Sequence, residues 1–172
     1  MADRPVILIV FTSWGGNTEK LAEAIAQGAR GAGNGNVDVI VKRAFETGRS
    51  DLESASAIGF GSPTYYSYMS GELKTFFDRA LPFRETLEGK PVIAFATGEG
   101  GQLTCIRSIE GILEFFNVSF VQRSDILSAG LAVQGMPDEG ALREARAAGR
   151  KLGDAGVDHL CSRRSENIIV GQ

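Results

Sequence analysis

The segment Pro5-Val6-Ile7-Leu8-Ile9-Val10-Phe11 is apolar at every position, the pattern of a strand covered on both faces of a parallel sheet. A helical period follows. Leu21, Ala24, Ile25, Gly28, Ala29 and Ala32 share one stripe, and Gly31-Ala32-Gly33-Asn34-Gly35 ends it. Val37, Val39 and Val41 alternate with Asp38, Ile40 and Lys42, which predicts a strand nearer the sheet edge. Residues 44–56 are polar, with a short helical turn at Asp51-Leu52-Glu53, and Ala57-Ile58-Gly59-Phe60-Gly61 is the third strand. Ser70 is placed to cap a helix that turns Leu73, Phe76, Phe77 and Ala80 inward before Pro82 stops it. Residues 91–96 predict a fourth buried strand; Ile106, Ile109, Leu113 and Phe116 mark a helix face; Val118-Ser119-Phe120-Val121 is the fifth strand. A longer connection, 124–136, leads to Pro137-Asp138-Glu139, the first turn of a last helix carrying Leu142, Ala145 and Leu152 inward. The tail, 161–172, is polar and then apolar at Ile168-Ile169-Val170, with pairing, docking and looseness all open to it.

Five strands alternating with helices predict an α/β fold with an open parallel sheet and right-handed crossovers. Such sheets bind ligands outside the carboxyl ends of their strands, where the strand order reverses. Three loops emerge on that edge: Thr12-Ser13-Trp14-Gly15-Gly16-Asn17-Thr18, Ser62-Pro63-Thr64-Tyr65-Tyr66-Ser67-Tyr68-Met69, and Thr97-Gly98-Glu99-Gly100-Gly101-Gln102. All three are rich in glycine, hydroxyl or aromatic residues. Taken singly, each is also ordinary turn chemistry. The first runs from a strand into a helix, where unpaired N–H groups and the helix dipole favour an anion. It has no Lys or Arg, so a phosphate there is held by neutral donors. That excludes a triphosphate loop, which needs its lysine.

A length of 172 residues predicts one domain, 1–172, with residues 160–172 as a loose or docking tail. The formal charge of -3 argues against nucleic-acid and anionic-membrane partners. Cys105 and Cys161 form no metal or disulfide pattern. No apolar run reaches the roughly 20 residues of a membrane span, and no secretory leader is legible, so the expected location is cytoplasmic. A dinucleotide fold lacks its G-x-G-x-x-G and its acid, since the second strand ends in Lys42-Arg43. A phosphorylated receiver lacks acids after the first strand. Serine hydrolysis lacks G-x-S-x-G and a base, the single histidine being His159 in the last helix. Cys105 is either a reactive thiol near a helix start or a small buried residue.

The first loop, together with Gly61-Ser62-Pro63-Thr64-Tyr65-Tyr66, Met69-Ser70 and Lys74-Thr75-Phe76-Phe77-Asp78-Arg79, resembles the flavodoxin-like FMN proteins from residue 5 to about 158. The Ser-Pro-Thr loop and the Gly-Glu-Gly-Gly-Gln segment are most similar to the multimeric NAD(P)H:quinone oxidoreductase branch, the tryptophan-repressor-binding proteins. The resemblance implies a three-layer αβα sandwich with a five-stranded parallel sheet in the order 2-1-3-4-5. It implies FMN as cofactor, with Thr12, Ser13, Gly15, Gly16, Asn17 and Thr18 around its phosphate. Pro63, Thr64, Tyr65 and Tyr66 then line the isoalloxazine, and Thr97, Gly98, Glu99, Gly100 and Gly101 approach its pyrimidine end or ribityl chain. Trp14 shields the phosphate, reaches a neighbouring subunit, or packs on its own loop. Two departures stand out: the 97–102 loop has no aromatic to cover one flavin face, and Ser67-Tyr68 replaces the branch's Gly-Asn pair.

With a flavin, the chemistry belongs to the cofactor and no catalytic acid, base or metal is expected. One reading is an FMN-dependent oxidoreductase passing electrons from NAD(P)H to a quinone-like acceptor, assembled as a homodimer or homotetramer. The second is a flavodoxin-type carrier docking to redox protein partners without turnover of its own. A third is an FMN-free interaction module that kept the fold.

Overall fold

The computed structural model describes residues 4–124 and 131–170, with side chains through residue 165. Its centre is β1 (Val6–Phe11), whose side chains alternate between two cores. Ile7, Ile9 and Phe11 face α1 (Asn17–Ala29) and α5 (Glu139–Val170), while Leu8 and Val10 face α3 (Gly71–Ala80) and α4 (Gln102–Phe115). Both faces of the sheet are therefore covered, which explains the unbroken apolar run. β1 pairs in parallel with β2 (Asp38–Arg43) on one side and β3 (Ala55–Tyr65) on the other, and β3 pairs in parallel with β5 (Pro91–Gly98). The long strands thus follow the expected order, with the switch point between β1 and β3. There Thr12 N–H donates to Gly61 O at 3.0 Å.

Several elements depart from the sequence reading. β3 is longer than residues 57–61 and folds back through β4 (Tyr68–Met69), an antiparallel hairpin pairing Thr64 with Met69 and Tyr65 with Tyr68. The expected fifth strand is two pieces. β6 (Ser119–Phe120) pairs with the start of β5, and β7 (Ala132–Gln134), inside the expected connection, pairs with its end. The middle of that connection, 125–130, lies outside the described residues. A short α2 (Arg49–Ser54) precedes β3, and a 3-10 segment Leu81–Leu87 follows α3, with Pro82 in its first turn. The tail from Cys161 continues α5 to Val170. α1 and α5 meet backbone to backbone: a Cβ at Gly149 would lie 1.9 Å from Ile25 O, and one at Gly28 1.8 Å from Arg146 O. Among the described residues, no helix is long and apolar enough to cross a membrane.

Candidate functional site

The loop leaving β1 is built to present donors. Gly16 sits at φ 86°, a conformation that costs an L-residue about 1–2 kcal/mol, and α1 begins behind it with no side-chain cap. The first-turn N–H groups therefore open onto the sheet edge. Ser13 Oγ accepts from Gly16 N–H at 3.1 Å, setting the turn. Arg43, at the end of β2, donates to Ser13 O at 2.9 Å, pairs with Glu19 at 3.1 Å and lies 5.3 Å from the centre of the Phe11 ring. This brace was not legible in sequence, where Lys42-Arg43 counted only against a dinucleotide fold.

Hydroxyl pairs lock the three loops together. Thr18 Oγ1 and Thr97 Oγ1, both buried, are 2.8 Å apart and join α1 to the end of β5. Beneath them, Thr12 Oγ1 meets Ser70 Oγ at 2.8 Å. Ser70 Oγ also accepts from Leu73 N–H at 3.2 Å, which is the helix cap read from sequence. Ser62 Oγ accepts from Ser70 N–H at 2.8 Å and donates to Pro63 O at 2.7 Å. Two glycines let the second and third loops touch. A Cβ at Gly98 would lie 2.7 Å from Thr64 Cβ, and one at Gly101 2.4 Å from Ser67 Oγ.

These contacts enclose a cleft of about 170 Å³. Ser13, Trp14, Gly15, Asn17 and Thr18 line it from the first loop, Pro63, Thr64 and Tyr65 from the second, and Thr97, Gly98 and Glu99 from the third. Of the other expected site residues, Thr12 is fully buried beneath the cleft and Tyr66 is fully exposed at the hairpin tip. Gly16, Gly100 and Gly101 flank the lining. Trp14 is exposed, with its ring edge-on to Tyr65 at 6.4 Å between centroids. No cation contributes to the lining among the described residues. A larger groove, about 450 Å³, runs between α1 and α5 beside Glu19, Lys20, Glu23 and Arg146. It has charges of both signs and no buried polar group aimed into it, so the smaller cleft at the switch point is the stronger site.

Sequence reasoning missed one wall. Gly135 N–H donates to Gly98 O at 2.9 Å and Gln134 Nε2 to Glu99 O at 3.1 Å, so the chain after β7 backs the third loop. The only signal for it was the apolar triplet Leu131-Ala132-Val133. Cys105 lies behind the second loop, its Sγ 3.9 Å from Pro63 O. Burial pushes its thiol up to about 11, against the opposing pull of the Thr64 and Ser62 hydroxyls. It is a buried structural thiol, not a nucleophile. Thr64 Oγ1 is buried with no hydrogen bond beyond this weak interaction with the Cys105 thiol.

Residues 8–102 match the model of a family described as a flavodoxin domain. The chain is 30% identical over 159 residues to a flavodoxin of Aquifex aeolicus (strain VF5), covering 86% of this chain and 85% of that one. It is 31% identical over 194 residues to an NAD(P)H dehydrogenase (quinone) of Archaeoglobus fulgidus, covering 90% and 98%. Among solved structures, a flavodoxin from the domain Archaea superposes with a TM-score of 0.77 at 24% identity, over 88% of this chain and 98% of that one. A flavodoxin, WrbA-like protein from Agrobacterium tumefaciens gives 0.70 at 20% identity, over 91% and 99%.

Proposed function

The chain belongs to the flavodoxin family, and on that premise we propose that it is an FMN-dependent oxidoreductase passing electrons from NAD(P)H to a quinone-like acceptor. The cleft suits the phosphate end of FMN. Its donors are neutral, the first turn of α1 is uncapped, Gly15 leaves open space, and Thr64 Oγ1 has no partner stronger than the Cys105 thiol. Ser13, Asn17, Thr18 and the backbone N–H groups would hold the phosphate. Tyr65 and Tyr66 offer flat surface beside Pro63 and Thr64, while Gly98 to Gly101 bring backbone close to the ligand. Bound FMN supplies two-electron redox chemistry between a reduced nicotinamide and a quinone. Glu99 puts a carboxylate on the lining, which opposes build-up of negative charge there. The chain adds no general acid or base of its own in this scheme.

The observation that carries an enzyme over a carrier is the open side of the site. A cleft of about 170 Å³ is smaller than the roughly 300–1,000 Å³ of pockets that enclose a ligand, and the third loop has no ring to cover what protrudes. That leaves room for a second planar molecule. The test is steady-state NADH and NADPH oxidation by the FMN-loaded protein with benzoquinone as acceptor. Flavin-dependent turnover with either nucleotide is expected, and its absence with both would defeat the reading. The second reading, a flavodoxin-type carrier, is favoured by the exposed rim of Trp14, Tyr65, Tyr66 and Tyr68, which suits a docking redox protein. It predicts reduction by a protein donor without nucleotide turnover. The enzyme reading includes a homodimer or homotetramer with a neighbour over this rim, acting in the cytoplasm, and light scattering measures that assembly.

A further inference from the structure

At the pole of the sheet opposite the cleft, the start of β3 carries an irregularity. Val6 pairs with Ala55 but Ile7 pairs with Ala57, so Ser56 is an extra residue in the strand. Bulges of this kind re-aim a side chain, and they gather near functional sites. Ser56 is 6% exposed, and its hydroxyl makes no hydrogen bond among the described residues. It opens into a cavity of about 290 Å³ whose other walls are Glu53 and Ser54 from the end of α2 and His159, Arg163 and Arg164 from α5.

The cavity is lined by groups of both charges. Its one carboxylate, Glu53, is engaged by Arg49 at 2.6 Å. Arg163 makes no ion pair among the described residues. Lys90 lies behind the wall with Nζ on Leu52 O at 2.5 Å and Glu53 O at 3.2 Å, so the negative end of α2 is already neutralised. Burial, and next the nearby Arg163 charge, lower the Lys90 pKa from 10.5 to about 8. In a chain of net charge -3, this sets the Arg163 guanidinium, with no ion pair among the described residues, on the same cavity as the Ser56 hydroxyl.

We propose that this cavity is a second anion site, distinct from the cleft at the carboxyl edge, in which Ser56 and Arg163 hold a phosphate group. A guanidinium and a hydroxyl on facing walls are the donors such a group takes. The space exceeds that of a bare phosphate, so a small phosphoester also fits.

The test is amide NMR of the FMN-saturated protein, which keeps the carboxyl-edge cleft filled, titrated with inorganic phosphate or glycerol 3-phosphate at constant ionic strength set with sodium chloride. Saturable shifts at residues 53–56 and 159–164 are expected. Arg163→Gln should weaken them about tenfold, and the milder Ser56→Ala severalfold, from loss of a hydrogen bond to a charged group. Tighter binding of the ester identifies a phosphorylated small molecule as the ligand class, and equal or tighter binding of inorganic phosphate identifies the free anion. Non-saturating shifts, shifts reproduced by chloride alone, or unchanged affinity in both variants would overturn the site. Should the protein take up no FMN, the same titration with the Ser13–Thr18 amides monitored separately reads the two regions apart.

Discussion

Replacing Thr18 with valine keeps the side-chain shape and deletes one hydroxyl. In the folded chain that hydroxyl shares a 2.8 Å hydrogen bond with Thr97, and both residues are buried, at 1% and 2% exposure. Two hydroxyls in one pair use only one of their two hydrogens, so the pair retains one donor for a ligand in the cleft. Thr18→Val therefore has two separable effects. It strands the Thr97 hydroxyl in a dry environment, costing about 1–3 kcal/mol of stability. It also removes a donor to the FMN phosphate, weakening binding by about 1–3 kcal/mol, or roughly 5- to 150-fold. The double variant Thr18→Val with Thr97→Val separates them. Removing both partners restores much of the stability, because no polar atom is then left unpaired, but it does not restore affinity. Urea unfolding without FMN reads the first effect, and quenching of FMN fluorescence reads the second. FMN affinity within twofold of the parent in Thr18→Val, or recovered in the double variant, would refute the placement of the phosphate at this pair.

Lys90 provides a pH test. Its pKa falls from 10.5 to about 8 on folding, so between those values the unfolded chain holds more protons and the native state gains stability as pH rises. Lys90→Met should flatten the rise by up to about 1.4 kcal/mol per pH unit, and parallel stability curves for the two proteins from pH 8 to 10 would contradict this. In the helices, Gly149→Ala should lower stability by about 1–3 kcal/mol because its Cβ meets Ile25 O at 1.9 Å. Gly111→Ala in α4 has open space and should raise stability by about 0.5–1 kcal/mol. Equal melting temperatures for these two variants would break the packing argument. For the thiols, iodoacetamide at pH 8 should label exposed Cys161 and spare buried Cys105 until urea is added, as read by mass spectrometry. Labelling of both at similar rates would show that the wall behind Pro63 opens.

The layers were legible because burial on both faces writes itself as unbroken apolar runs, as in β1 and β5, whereas the strand order came only with the family resemblance. The three site loops were legible because a ligand edge uses glycine and hydroxyls where a core cannot. What stayed hidden depends on distant partners or on unfavourable local conformations. The β3–β4 hairpin turns at Tyr66 and Ser67 with φ of 52° and 59°, values that neither residue type signals. Arg43 braces Ser13 across a separation of 30 positions, which no local pattern records. The extension of α5 had a negative signal instead: from Val157 to Val170 the sequence contains neither glycine nor proline, and Gly171 is the first stop.

The split edge of the sheet bears on how this chain can vary. Between the pairs Val92–Phe120 and Ala96–Ala132, β5 advances four residues while its neighbour advances twelve, eight more than a continuous strand needs. The surplus is bounded on both sides by ladder pairing, and the wall behind the third loop takes its register from β5 through Gly98 and Gly135. The two ends of β5 are thus paired independently of each other. Substitutions at Ser119 or Phe120 can loosen the first pairing while the second, at Ala132 to Gln134, keeps the geometry at the switch point fixed.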